Sequence, residues 1–213
     1  MPHIERTKKQ ILDDVKRTLD TAELGYKILV QASPPDKMAG LMNLVVFGRA
    51  VTNVLQHLRG KEAGFDEWYN MYREEMKSDS LLKFFYDIRS EILKEGKLRV
   101  GTSACISHLS FPQDMARFPP PLKNAKGKGF FIGDRFGGSG YEIEMADGSV
   151  EKFYVNLPLD IAMVNVQFLN SPKTHLGKAL TNDSVEYLSR LYLDYLQKMV
   201  KDAITKFGVY PLS

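Results

Sequence analysis

Apolar residues three and four positions apart dominate the first half of the chain. From Ile4 to about Gln31, Ile11, Leu12, Val15, Leu19, Ala22 and Tyr26 form a stripe between Lys8, Asp13, Lys16, Arg17 and Asp20, the pattern of an amphipathic helix. Ser33-Pro34-Pro35-Asp36 breaks it, because proline lacks an amide donor and restrains the residue before it. A second helix follows, with Leu41, Leu44, Val45, Gly48, Val51, Thr52, Leu55 and Leu58 on one face and Arg59-Gly60 suited to its end. Phe65, Trp68, Tyr69, Tyr72 and Met76 predict a third helix. Leu81, Phe84, Phe85, Ile88 and Ile92 predict a fourth, capped by Ser78-Asp79-Ser80 and stopped at Gly96.

Beyond Gly96 the pattern changes. Leu98, Val100 and Ala104-Cys105-Ile106 read as extended, and Tyr141 to Met145 alternates polar with apolar. Asp147-Gly148 followed by Val150 to Val155 predicts a hairpin, because glycine accepts positive φ at the turn. Leu159 to Leu169 fits either a strand or a short helix. The last helix is predicted from a cap at Asp183-Ser184-Val185-Glu186, with Glu186 as the reciprocal acid, and a stripe from Val185 to Ile204 that stops at Gly208. These elements predict a mainly α fold: a single domain, an antiparallel helical bundle over 4–96 and 183–208, with a small β-hairpin or sheet insertion over 97–180.

Composition supports a folded chain. Of 213 residues, 44% are hydrophobic and 26% charged, close to an ordinary globular protein. The unbroken apolar runs, such as Leu41 to Phe47, are far shorter than the roughly 20 residues that cross a bilayer, and the first residues lack a secretory pattern, so no membrane span and a cytoplasmic location are expected. Cys105, the only cysteine, excludes an intrachain disulfide and paired-thiolate zinc sites, and is expected in the core. Neither a metal nor a cofactor is expected: the acids Glu62, Asp66, Glu67, Glu74 and Glu75 lack ligand spacing.

A net charge of +3 is too balanced to indicate a partner by itself. Its distribution says more. Between Arg117 and Arg135, Lys123, Lys126 and Lys128 face one acid, Asp134, in a Gly-rich stretch interleaved with Phe130, Phe131 and Phe136. The glycines lack the P-loop and dinucleotide-binding contexts. What remains is a basic, aromatic loop of the kind that binds single-stranded nucleic acid, or a loop whose aromatics anchor it to the rest of the protein. His108, His175, Ser103, Ser107 and Asp114 permit a hydrolase triad on paper, with no local context to support one. On the second helix Arg49, Asn53 and His57, each four apart, form a polar strip that could contact phosphate and exchange protons, or simply face solvent.

Phe47-Gly48-Arg49-Ala50-Val51-Thr52-Asn53, then Phe65-Asp66-Glu67-Trp68-Tyr69, then Arg89-Ser90-Glu91-Ile92-Leu93-Lys94 resembles helical proteins of the HEPN class, many of which act in bacterial defence and toxin systems. The resemblance implies RNA as partner, a homodimer with a shared cleft and, in active members, metal-independent cleavage. Arg89 matches the motif arginine and Ser90 the polar position, while Lys94 stands where the class has histidine. Lysine stays protonated at neutral pH, so it can bind phosphate but is a poor general base. The resemblance therefore implies an RNA-binding protein with weakened catalysis and Arg89, Ser90 and Lys94 at the site. His57 is the candidate for the missing imidazole, and the helix strip and the basic loop add Arg49, Asn53, Lys126, Lys128 and Arg135 as candidate nucleic-acid contacts. Two alternatives stay open: an active endoribonuclease with His57 as base, and a non-enzymatic adaptor with a protein partner.

Overall fold

The computed structural model describes residues 6–110, 113–119 and 126–208. Ile4 and Lys123, expected in the first helix and in the basic loop, lie outside them. Among the described residues there are five α-helices: α1 Lys8–Gln31, α2 Asp36–Leu55, α3 Phe65–Ser78, α4 Ser80–Glu95 and α5 Val185–Phe207. Thr7 and Gln10 form a reciprocal capping box that starts α1. Asp79 accepts from the Leu82 amide at the start of α4, and Gly96 ends that helix in the left-handed region at φ 65°. Ser184 caps α5 by accepting from the Tyr187 amide, which makes Tyr187 the third helical residue and leaves Glu186 without the reciprocal role expected of it.

The helices bury one apolar stripe each in a common core containing Ile11, Val15, Leu41, Leu55, Trp68, Phe85, Leu188 and Leu196. α1 and α2 pack closest. A Cβ on Gly25 would lie 2.6 Å from the Leu44 nitrogen, and one on Gly40 2.7 Å from the Leu29 nitrogen, so only glycine lets the two backbones meet. α3 is joined to α5 through Asp202, which accepts from Trp68 Nε1 at 2.6 Å and from the Tyr72 hydroxyl at 3.0 Å. Burial and that carboxylate push Tyr72 up to about 12.

The expectation of a mainly α bundle with one small insertion is wrong. Among the described residues seven strands form three sheets beside the helices, so the protein combines α and β structure. β1 Val100–Ile106 pairs antiparallel with β5 Ala162–Phe168, which decides the open reading of Leu159 to Leu169 in favour of a strand. β2 Lys126–Ile132, β3 Ser139–Glu144 and β4 Val150–Val155 form a three-stranded antiparallel sheet, with the Asp147-Gly148 turn between the last two. β6 Thr174–His175 and β7 Lys178–Ala179 form a short ribbon. The Gly-rich segment expected as a loop is thus largely strand. Part of 97–180 packs directly on the helices. Phe168 sits edge-on to Phe84 and Phe85 at 5.2 and 5.6 Å, and Leu98 and Val100 pack on the helical core. A second, smaller core gathers Phe118, Tyr141, Ile143, Val155 and Ile161.

One further expectation changes. Cys105 is exposed, because it lies on the outer half of β1, where the ribbon with β5 leaves the core. Asp36–Leu58, α2 with the 3-10 turn Gln56–Leu58, is long and apolar enough by length and composition to cross a membrane, and half of that stretch is buried inside the protein. Counting only unbroken apolar runs overlooked it, because Asn43, Gly48, Arg49, Thr52 and Asn53 interrupt the run without breaking the helix.

Candidate nucleic-acid interface

A groove of about 500 Å³ opens between α2, α3 and α4, with Tyr192 of α5 among its lining residues. From α2 and the turn after it come Arg49, Thr52, Gln56 and Arg59, at spacings of three, four and three that keep them on one line along the helix. α3 contributes Tyr69, Arg73, Met76 and Lys77; α4 contributes Leu82, Lys83, Tyr86 and Asp87. Five cations thus face one carboxylate, Asp87, among the lining residues.

Tyr192 is positioned by its neighbours on two sides. Its ring stacks on Phe85 at 4.3 Å and 3°. On α2, a Cβ at Gly48 would come within 2.6 Å of Tyr192 Cε1, so a glycine is needed for the ring to lie against that helix. Burial pushes the phenol up, while the positive charges of Arg49 and Arg89 pull it the other way.

The cations differ in their commitments. Arg59 pairs with Asp66 at 2.7 Å and lies 5.9 Å from the Tyr69 ring centroid. Arg73 and Lys77 share Glu74 at 3.3 and 3.0 Å. Arg49 instead donates to the Thr52 hydroxyl and lies over Tyr86 at 5.4 Å, with no carboxylate partner among the described residues. Lys83 has no ion pair there either. Nor does Arg89, whose Nε is enclosed without a hydrogen-bond partner. An enclosed guanidinium nitrogen that lacks a partner is costly, and an anion would relieve that cost.

The sequence-predicted residues therefore separate. Arg49 lines the groove together with Tyr192, whereas Arg89 is half-buried and is not among the lining residues. Asn53 and His57 are exposed and do not line the groove, and His57 Nδ1 lies 3.1 Å from the Val54 carbonyl of its own helix. Ser90 is half-buried and donates back to the Tyr86 carbonyl at 3.1 Å, and Lys94 is exposed. Lys126, Lys128 and Arg135 lie on or beside the β2–β3–β4 sheet. Lys128 pairs with Glu144 at 3.2 Å, and Arg135 lies over Phe136 at 4.5 Å. Phe130 stacks on Phe118 at 5.3 Å and Phe131 meets Tyr154 edge-on at 5.6 Å, so these aromatics anchor the sheet. The paper triad also fails: His108 meets Ser110 at 3.1 Å and Asp114 at 3.8 Å through the same nitrogen, Nε2, whereas a triad histidine uses both ring nitrogens.

Sequence reasoning missed Thr52, Gln56, Arg59, Lys83, Tyr86 and Tyr192. The line Arg49-Thr52-Gln56-Arg59 was as visible as the strip of fours. At 3.6 residues per turn a run of fours drifts around the helix, while alternating threes and fours stays on one side.

Residues 7–115, just over half of the chain, match the family model described as bacteriophage lambda protein ea47. The chain belongs to that family. The match spans α1 to α4 and β1, and so includes the three helices that wall the groove, while Tyr192 lies outside it. No curated protein and no solved structure matches the chain.

Proposed function

We propose that this ea47-family protein binds single-stranded RNA in the groove between α2, α3 and α4. The observation that carries the reading is the uncommitted positive charge of Arg49 and Lys83 in the groove lining beside exposed aromatic surface. Arg49 presents a planar fork of donors that suits phosphate oxygens. Tyr86, 51% exposed, offers a ring on which a base can stack. The HEPN-class resemblance of the Arg49 and Arg89 segments points to the same ligand.

The groove favours binding over cleavage. No imidazole is among its lining residues, and Tyr192 is held protonated by burial, so neither supplies a general base at neutral pH. The test is filter binding of a labelled, unstructured RNA across a salt series with the full chain. Affinity should fall steeply with salt as neutralised phosphates release counterions. Affinity indifferent to salt, or no binding, would remove the reading.

A further inference from the structure

We infer that Asp87 selects guanine among the bases of the bound RNA, an inference that rests on the RNA-groove reading. Asp87 follows Tyr86 on α4, is half-buried and lines the groove. It makes no hydrogen bond or ion pair among the described residues, although Lys83 lies one turn before it and Arg49 stacks on the residue beside it. A carboxylate in a phosphate-binding groove repels phosphate at contact distance. Asp87 therefore faces a neutral part of the ligand, and beside a stacking tyrosine that part is a base edge.

An ionised carboxylate only accepts hydrogen bonds, through two oxygens held side by side. Its complement is a pair of adjacent donors. On the Watson–Crick edge guanine presents N1–H next to the N2 amine, two parallel donors. Adenine and cytosine place one amine beside an acceptor nitrogen, and uracil sets one N–H between two carbonyls. Each of these three sets an acceptor near a carboxylate oxygen, which is repulsive. Single-stranded RNA exposes these edges to side chains, unlike a duplex.

The experiment measures the affinity of the full chain for short uridine oligoribonucleotides carrying one central guanine, adenine, cytosine or inosine, and repeats the series with Asp87→Asn. The guanine oligonucleotide should bind roughly tenfold more tightly than the adenine, cytosine or all-uridine ones, the discrimination of one good two-point contact. Inosine, which lacks the N2 amine, should lose most of that gain with the unaltered protein. Asp87→Asn offers one acceptor and one donor, so it should lose the preference while binding all-uridine RNA at least as tightly, because a repelling charge has gone. Equal binding of all oligonucleotides by the unaltered protein overturns the guanine assignment and leaves the RNA groove standing. A preference that survives either inosine or Asp87→Asn overturns the role of Asp87. Binding to none of them overturns both readings.

Discussion

In the β2–β3–β4 sheet, Lys128 lies 3.2 Å from Glu144, and Lys152 lies 3.0 Å from Asp134 while also covering the Phe131 ring at 4.4 Å. In the helical groove, Arg49 and Lys83 have no such carboxylate among the described residues. Both regions combine lysine or arginine with aromatic rings, and the sequence marks both as basic. Among the described residues each has charge that the fold neutralises, Lys128 and Lys152 in the sheet and Arg59, Arg73 and Lys77 in the groove. Each also has charge that it does not, Lys126 and Arg135 against Arg49 and Lys83, and the groove gathers its unpaired charge in one concave lining. Asp134 makes the difference concrete. Burial alone would raise its pKa, but Lys152, the Tyr154 hydroxyl and the amides of Gly138 and Phe136 hold it below its ordinary value. Charge used this way organises a turn and a strand, and it is not available to a ligand.

The largest effect that separates the two regions is in packing. Phe85 is 1% exposed, stacked on Tyr192 and edge-on to Phe168. Phe85→Ala should cost about 3–5 kcal/mol in denaturant unfolding and disorder the groove with it. Phe131→Ala, half-buried in the sheet, should cost about 1 kcal/mol. Equal costs would show that the sheet and the helical core are packed alike.

Next in size is the loss of groove charge. Arg49→Ala should weaken RNA binding roughly tenfold, and Arg49→Lys should recover only part of it, because lysine lacks the planar fork. Full recovery by lysine in a binding titration would reduce Arg49 to a diffuse charge.

A smaller effect concerns pH. Asp79 is 8% exposed and ties α4 to the β6–β7 ribbon by accepting from the amides of Leu82 and Leu176 and from His175. Burial pushes its carboxyl up, but the two amides and the imidazole more than offset this and hold it below its ordinary 3.8. The stabilisation is fully present above pH 3.8 and is lost as pH falls through the lowered folded value. Stability measured against pH should therefore slope downward on the acid side below that point, and Asp79→Asn should flatten part of the slope. An unchanged slope would mean that Asp79 does not report on this linkage.

The smallest effect belongs to the sheet. Lys128→Ala should change RNA affinity by less than about twofold and stability by less than about 1 kcal/mol, as for an exposed ion pair. A loss comparable with that of Arg49→Ala would erase the distinction between the regions.

The four leading helices and α5 were legible because each buries one stripe at helical spacing, and the Asp147-Gly148 turn because it sits between alternating segments. β1 was legible as extended from Leu98, Val100 and Ala104 to Ile106, β5 was left open between strand and helix, and β2, β6 and β7 were not legible. β2 contains Gly127 and Gly129, which carry no side chain to alternate, and most of it is exposed. β1 is paired with a strand far along the chain, a pairing that no local pattern announces. At the site, Arg49 was visible from the strip it forms with Asn53 and His57, and Arg89 from the family motif. The meeting of Arg49 with Tyr192 in one groove was not, since it depends on how α2 and α5 cross and on Gly48 leaving room for a ring. The ion pair of Lys128 with Glu144 was not legible either, because Glu144 becomes a neighbour only when β2 and β3 pair.

The salt dependence of RNA affinity, measured side by side for the unaltered chain, Arg49→Ala, Lys83→Ala and Lys128→Ala, tests the central claim most directly. For single strands the slope of log affinity against log salt changes by roughly 0.7 for each phosphate that the protein no longer neutralises. The slope should become shallower by about that amount in Arg49→Ala and in Lys83→Ala and stay unchanged in Lys128→Ala. A slope that holds in both groove variants and falls in Lys128→Ala would place the phosphates on the sheet and contradict the account.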